Sequence, residues 1–399
     1  MPAESEIIEI IPGIAIPDFM VSEIQSKLAY ADERIASVYV RSEQISIHLF
    51  AGKSATKEQR IEIEEKVQRV VSSLAKGAIQ PKYQILEDHL DRRIPYHDDP
   101  HPALFSSGQI YQEAPGIFTL GPLVTLLITF FEDQFIELAN SFGAKPYRFP
   151  TLIPAKFLER VNYFRAFPHS LTFVTHLRED LDVIDEFSQH AACSQEGLNT
   201  PSQSFSRIQT LLSPAVCYHL YYSLADKSIP DGQVTATAVG NCFRFESINL
   251  VSLERMWNFT MREIIFVGSK DFVLENRELA RQRVAERLAQ IGFAYKVESA
   301  NDPFFIGEFR KQAAFQSAFQ LKFEIHASLP YKDSTLAVGS YNYHQDFFGR
   351  NLNISLLDGK SAHTGCVAFG LERMALAFLA QFGPNPSDWP AEVSSKLKT

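Results

Sequence analysis

The stretch Asn241-Cys242-Phe243-Arg244-Phe245-Glu246, a ten-residue loop, and then Trp257-Asn258-Phe259-Thr260-Met261-Arg262-Glu263-Ile264-Ile265 decides the reading of this chain. The first run alternates in character, so an extended backbone there puts Arg244 and Glu246 on one face. The second run reads as its partner strand. Further on, Gly370-Leu371-Glu372-Arg373-Met374 opens a run of Ala and Leu that reads as a helix with Arg373 in its first turn. Both Arg244 and Arg373 lie in aromatic or aliphatic surroundings, where an unpaired charge is costly. The chain has neither GxGxxG nor GxxxxGK[ST]. A bound nucleotide would therefore be held by side chains, arginines above all, whose planar forks match phosphate oxygens.

Outward from this stretch, residues 118–388 alternate long helices with apolar, aromatic-rich strands. Leu120 to Phe131, LGPLVTLLITFF, is 12 residues long and runs into Glu132 and Asp133. That is well short of the ~20 apolar residues that span a bilayer, so it reads as a buried helix starting after a Gly-Pro. Residues 1–76 read as a small α/β unit of order β-α-β-β-α. Ile63, Val67, Val70, Val71 and Leu74 line one face of its last helix, and Gly77 is the stop signal. Residues 77–117 read as a connector rich in Pro, Asp and His, in which His97-Asp98-Asp99-Pro100-His101-Pro102 is a turn-forming loop and not a metal cluster. Residues 389–399 read as a polar tail that frays.

Composition narrows the function classes. The 399 residues are 45% hydrophobic and include 32 Phe, enough to bury a large core and to exclude global disorder. A net charge of −9 lacks the basic stripe of an electrostatic nucleic-acid binder. The cysteines at 193, 217, 242 and 366 show neither disulfide-framework nor zinc-ribbon spacing, and MPAESEIIEI carries no visible signal peptide. A reducing cytoplasm is the expected location.

The FRFE-loop-NFTMRE stretch resembles motif 2 of class II aminoacyl-tRNA synthetases, and GCVAFGLERMALAF (365–378) resembles motif 3. A long helix followed by FGAKPYRFPTLIP (142–154) looks like motif 1, with Pro150 as its characteristic proline. Within that class the chain is more similar to the seryl-tRNA-synthetase-like amino acid:[carrier protein] ligases. The matching strings are YFRAFPHSLTFVTHLREDLD (163–182), ANDPFF (300–305), LKFE (321–324), SYNYHQDFFG (340–349) and AHTGCVAFGLERM (362–374). Residues 1–76 lie outside the resemblance.

The resemblance implies an α+β fold: an antiparallel class II catalytic sheet flanked by helices, with the small N-terminal α/β domain added. It implies that Arg244 contacts the ATP α-phosphate, Glu246 reads the adenine amino group, Phe259 stacks on the base and Arg373 holds the γ-phosphate, with ATP entering as its Mg²⁺ complex. It also aligns Cys217, Glu263 and Cys366 with zinc ligands. The gaps of 46 and 103 residues would never reveal such a site, and by residue chemistry alone each cysteine reads as a buried small hydrophobe. Two thiolates and a carboxylate leave one tetrahedral position open, which in this family accepts the substrate amino group. Cys193 and Cys242 match no ligand position and read as structural. The residues before SYNY lack the acid that binds metal in tRNA-charging seryl relatives, so no Mg²⁺ ligand is assigned.

The implied reaction is ATP-dependent activation of a small amino acid, glycine or alanine before serine, and its transfer to the phosphopantetheine thiol of a carrier protein. The alternatives are a serine-type tRNA synthetase and a non-catalytic paralogue. The N-terminal unit offers no pair of long antiparallel helices to grip tRNA and the chain is acidic, both of which weigh against tRNA. An intact nucleotide clamp weighs against a non-catalytic paralogue. The resemblance also implies a homodimer formed through roughly residues 125–154. Ile306 to Gln320 reads as a short helix with Phe315 and Phe319 on one face and Arg310 and Lys311 at its start, a landing strip for an acidic carrier protein.

Overall fold

The computed structural model describes residues 6–78, 84–194, 197–250, 252–300 and 321–397. The expected docking helix 306–320 lies outside the described residues. At the centre is an eight-stranded sheet. From one edge to the other its strands are Ile85–Asp88, Tyr295–Ser299, Lys322–Leu329, Ser334–Tyr343, His363–Gly370, Asn258–Gly268, Val234–Phe243 and Lys145–Pro146. All neighbours are antiparallel except the short last strand, which runs parallel to its partner. The edge strand Ile85–Asp88 belongs to the segment read from sequence as a connector; it pairs with Tyr295–Ser299.

One face of the sheet is covered by three helices, Pro122–Asn140, Lys270–Gln290 and Leu371–Phe382. The first starts as its sequence dictates, with Gly121 as N-cap and Pro122 at the position where a missing N–H costs nothing. Its Val124, Leu127, Phe131, Phe135 and Leu138 are buried, spaced to form one stripe. Phe135 stacks on Phe369 of the sheet, ring centroids 3.6 Å apart. Arg262, 6% exposed, points to the same side and ties sheet to helix through Glu132 at 2.6 Å. Leu371–Phe382 is buried all round except at Arg373, which marks it as the central helix. No helix among the described residues is long and apolar enough to cross a membrane.

Short helices at Ala155–Arg160, Cys217–Ser223 and Phe347–Leu352 pack on the opposite face around Phe157, Leu220, Tyr221 and Phe348. The N-terminal residues form a separate three-stranded antiparallel sheet, Ile7–Ile10, Gln44–Leu49 and Ile35–Arg41 in spatial order, with helices Val21–Leu28 and Lys57–Ala75 over its own core. Thr56 and Gln59 close the second of these helices with a reciprocal capping box. At the other end, residues 389–397 of the expected polar tail do not simply fray. Ala391–Lys396 is helical, and Trp389 and Val393 are buried in the main core because the outer surface of the central helix needs cover.

Candidate functional site: a Cys-Glu-Cys group beside two arginines

The face opposite the long helices carries the sequence-derived candidates. Direct cross-strand partners share a face, so Glu263 rises between Ala238 on one neighbouring strand and Ala368 on the other. Gly240 and Gly370 flank Met261 one step along. This floor of Ala and Gly lets Val216 pack down close to the buried carboxylate. Glu263 is 1% exposed, and its Oε1 accepts the Val216 backbone N–H at 3.1 Å, pinning the start of the Cys217–Ser223 helix to the sheet. Cys217 opens that helix. Cys366 arrives from the adjacent strand, and its Sγ accepts from the Asn342 side-chain amide at 3.5 Å. Gly365 permits that approach, since a Cβ there would lie 2.6 Å from the Asn342 carbonyl oxygen.

The result is one group. The Cys217, Glu263 and Cys366 donor atoms all lie within 4.8 Å of one another, and all three residues are buried. Among the described residues no other set of three or more Cys, His, Asp or Glu is so arranged. Burial pushes the Cys217 thiol well above its usual range, reinforced by Cys366 and by the Glu263 charge. Burial likewise raises Glu263, against the pull of hydrogen bonds from Cys217 and Cys366. Glu263 Oε2 is buried without a hydrogen-bond partner, and so is the Tyr221 hydroxyl, which faces Cys217. Two thiols, a carboxylate with an orphaned oxygen and a dry surround fit a divalent, thiophilic ion such as zinc.

The nucleotide candidates come from the end of the hairpin, its turn, the strand Asn258–Gly268 and the start of the central helix. The hairpin strand ends at Phe243, one residue before Arg244, and Glu246 lies in the turn beyond it. The alternation read across 241–246 therefore does not hold as a strand to its end: the regular pairing stops at Phe243, and the chain turns at Ser247–Asn249 after Glu246. Arg244 keeps one ladder bond, to Trp257 O at 3.0 Å. Its guanidinium donates to Pro214 O at 3.0 Å and lies over the Phe259 ring, 5.4 Å from the centroid. Arg373 donates to Glu254 O at 2.7 Å and Ala337 O at 3.1 Å. Among the described residues both guanidinium groups thus hold backbone carbonyls and not carboxylates, which leaves their charge open to an anion.

Glu246 pairs with Arg255 at 2.5 Å. Burial pushes its carboxyl up, and Arg255, Arg373 and Arg244 together overcome this and hold it below the usual range. The loop residues Glu254 and Arg255 are thus the link between the two halves, one held by Arg373 and the other by Glu246. Spacing gave no signal for them, nor for Glu372, whose carboxylate accepts the Thr260 backbone N–H at 2.8 Å and fixes the central helix against the hairpin. Asn342 lay inside the quoted SYNYHQDFFG string without an assigned role.

The remaining cysteines divide. Cys242 is buried with Val216 and Ala238, whereas Cys193 is exposed on a short surface strand and has no structural packing role. Of the segment read as a turn-forming loop, 97–100 is irregular, but His101 and Pro102 open the short helix His101–Ser106, with Asp99 accepting the His101 backbone N–H at 3.0 Å.

No family model matches the chain. Among characterised proteins it is 34% identical over 257 residues to amino acid--[acyl-carrier-protein] ligase 1 of Bradyrhizobium diazoefficiens, covering 64% of this chain and 77% of the relative. Ligase 2 of the same organism is 34% identical over 252 residues, covering 63% of this chain and 73% of the relative. The type-2 serine--tRNA ligase of Methanococcus aeolicus is 27% identical over 331 residues, covering 80% of this chain and 63% of that protein. Among solved structures, seryl-tRNA synthetase of M. kandleri in complex with A. aeolicus tRNASec superposes over 98% of this chain and 77% of its own, with a TM-score of 0.73 at 19% identity. At that identity the likeness shows the fold, an α+β class II synthetase architecture.

Proposed function

The chain belongs to the amino acid--[acyl-carrier-protein] ligases, seryl-synthetase-like enzymes, and we propose that it activates a small α-amino acid with ATP and transfers it to the phosphopantetheine thiol of a carrier protein. The observation that carries this reading is the buried Cys217-Glu263-Cys366 group together with two arginines that hold no carboxylate. In the first step the substrate carboxylate attacks the α-phosphate of Mg²⁺-complexed ATP in line, giving aminoacyl-adenylate and pyrophosphate. Arg244 stabilises the charge that develops at the α-phosphate, Arg373 holds the γ-phosphate, and Glu246 with Phe259 holds the adenine. In the second step the phosphopantetheine thiol attacks the activated carbonyl, giving a thioester and AMP. Positioning and charge stabilisation carry most of the acceleration.

Cys217, Glu263 and Cys366 would hold zinc, which when bound supplies a Lewis-acidic position for the substrate amino group and so selects α-amino acids over plain carboxylic acids. The family resemblance favours glycine or alanine before serine as the substrate. The matches to serine--tRNA ligases keep tRNA as the second acceptor to test. Labelled amino acid and ATP, offered separately to a phosphopantetheinylated carrier protein and to total tRNA, should label only the carrier, in a bond cleaved by neutral hydroxylamine. Labelled tRNA with an unlabelled carrier would overturn the carrier reading.

The same reading places homodimerisation at residues 125–154, where Leu126 and Leu152 are 38% and 46% exposed. Sedimentation at micromolar concentration should give twice the chain mass. A fully active monomer would contradict it.

A further inference from the structure

The N-terminal unit supplies none of the residues placed at the site, yet it meets the rest of the chain at the turn that carries Glu246. The Tyr30 hydroxyl donates to the Phe245 carbonyl at 3.2 Å, and Ser247 Oγ donates to the Ala29 carbonyl at 3.4 Å. Ile248 packs against the N-terminal core. The Tyr30 ring meets His169 edge-on, centroids 5.2 Å apart. Ser247, bracketed by these contacts, has φ +54°, a left-handed conformation that a serine holds only when its surroundings over-determine it.

Charge is arranged in the same way. Helix Val21–Leu28 buries Lys27 to 4% exposure with Glu23 at 3.6 Å on its own helix, and the Glu246 charge acts on Lys27 from the turn without an ion pair between them. The charge of Arg255, the partner of Glu246, acts on Glu23 in the same way. Negative and positive groups thus alternate across the boundary: Glu23, Lys27, Glu246, Arg255. A lysine is almost never buried unless it is paired, so this one belongs to the boundary and not to a solvated surface.

We propose that the N-terminal unit braces the nucleotide-recognition turn, with Lys27 and Tyr30 as positioning residues that hold Glu246 in place to read the adenine. The inference rests on the ATP reading of Glu246 given above. A turn held in its binding conformation has little ordering entropy left to lose when ATP arrives, so the brace contributes to ATP affinity and not to amino-acid affinity.

The test uses the full-length chain and variants Lys27→Met, Lys27→Arg and Tyr30→Phe in amino-acid-dependent pyrophosphate exchange, with ATP binding measured separately by calorimetry. Lys27→Met removes the cation at the boundary and takes the ion-pair partner from Glu23, which should raise the KM for ATP about tenfold. The KM for the amino acid and kcat at saturating ATP should stay within about twofold. Lys27→Arg should restore most of the loss, and Tyr30→Phe should give a smaller rise, about threefold. An ATP KM within about twofold of wild type in Lys27→Met and Tyr30→Phe alike would overturn the brace, as would an equal rise in both KM values. If Lys27→Met fails to fold, Tyr30→Phe, which removes a single hydroxyl, decides. A wild-type chain that binds no ATP in the calorimeter would overturn the proposed function itself, a result distinct from failure of the brace.

Discussion

Cys217→Ala and Cys366→Ala are each expected to abolish amino-acid-dependent pyrophosphate exchange while ATP binding survives. Each replacement removes one of only two soft ligands from a group whose donors lie within 4.8 Å. A single thiolate and a carboxylate make a poor zinc site, so the ion and its Lewis acidity should go together. The loss should reach about 10³-fold or more, the several kcal/mol that such an ion supplies. ATP should still bind, because Arg244, Glu246 and Arg373 stand on other elements. Elemental analysis should find one zinc per wild-type chain and little in either variant. Active wild-type protein free of zinc would sink the assignment. Melting curves guard against a trivial cause, since both side chains are buried, although exchange of Cys for Ala leaves only a small cavity.

Arg244→Ala and Arg373→Ala are each expected to cost about 2–4 kcal/mol of transition-state stabilisation, the scale for loss of a preorganised donor to a developing anion. The two should differ in how the loss is expressed. Charge builds at the α-phosphate only as the carboxylate attacks, so Arg244→Ala should lower kcat more than it raises the KM for ATP. The γ-phosphate is charged before and after that moment, so Arg373→Ala should weaken ATP binding more. Arg373 also joins the Glu254 and Ala337 carbonyls, which gives its variant the lower melting temperature of the two. Lysine should rescue neither fully, because an ammonium cannot reproduce the fork. Near-normal adenylation in Arg244→Ala would mean that the motif 2 assignment is misplaced.

The sequence reached some of this further than the rest, for physical reasons. Pro122–Asn140 and the central helix were legible because a Gly-Pro start and an unbroken apolar run are local signals. The hairpin was legible because both strands are long. Its end was not, since Phe243 and Phe245 look alike in sequence, and what stops the strand between them is the turn at Ser247–Asn249, held by segments far along the chain. The edge strand Ile85–Asp88 has four residues, none of them buried, too short a pattern to read inside a polar segment. Trp389 and Val393 needed knowledge of the exposed back of the central helix. At the site, Arg244 and Arg373 stood out as charges in apolar runs. Cys217, Glu263 and Cys366 emerged only through the family resemblance, because nothing local distinguishes a buried ligand from a buried filler. Glu254 and Arg255 were invisible, since their partners are chosen by how the loop folds back.

The two strands that bring Glu263 and Cys366 side by side are hydrogen-bonded neighbours, but 103 residues separate them along the chain. Cys217 joins from a third segment, through a helix anchored on Glu263 itself. No local fragment therefore contains even two of the donors in register. During folding the group comes into being only once a pairing between strands roughly a hundred residues apart has closed, which is a late and slow event for a chain of this topology. In a zinc finger the ion organises a short peptide around itself. Here the order would be reversed: the polypeptide must finish its architecture first, and capture of an ion by this group would be a clock mark for completion.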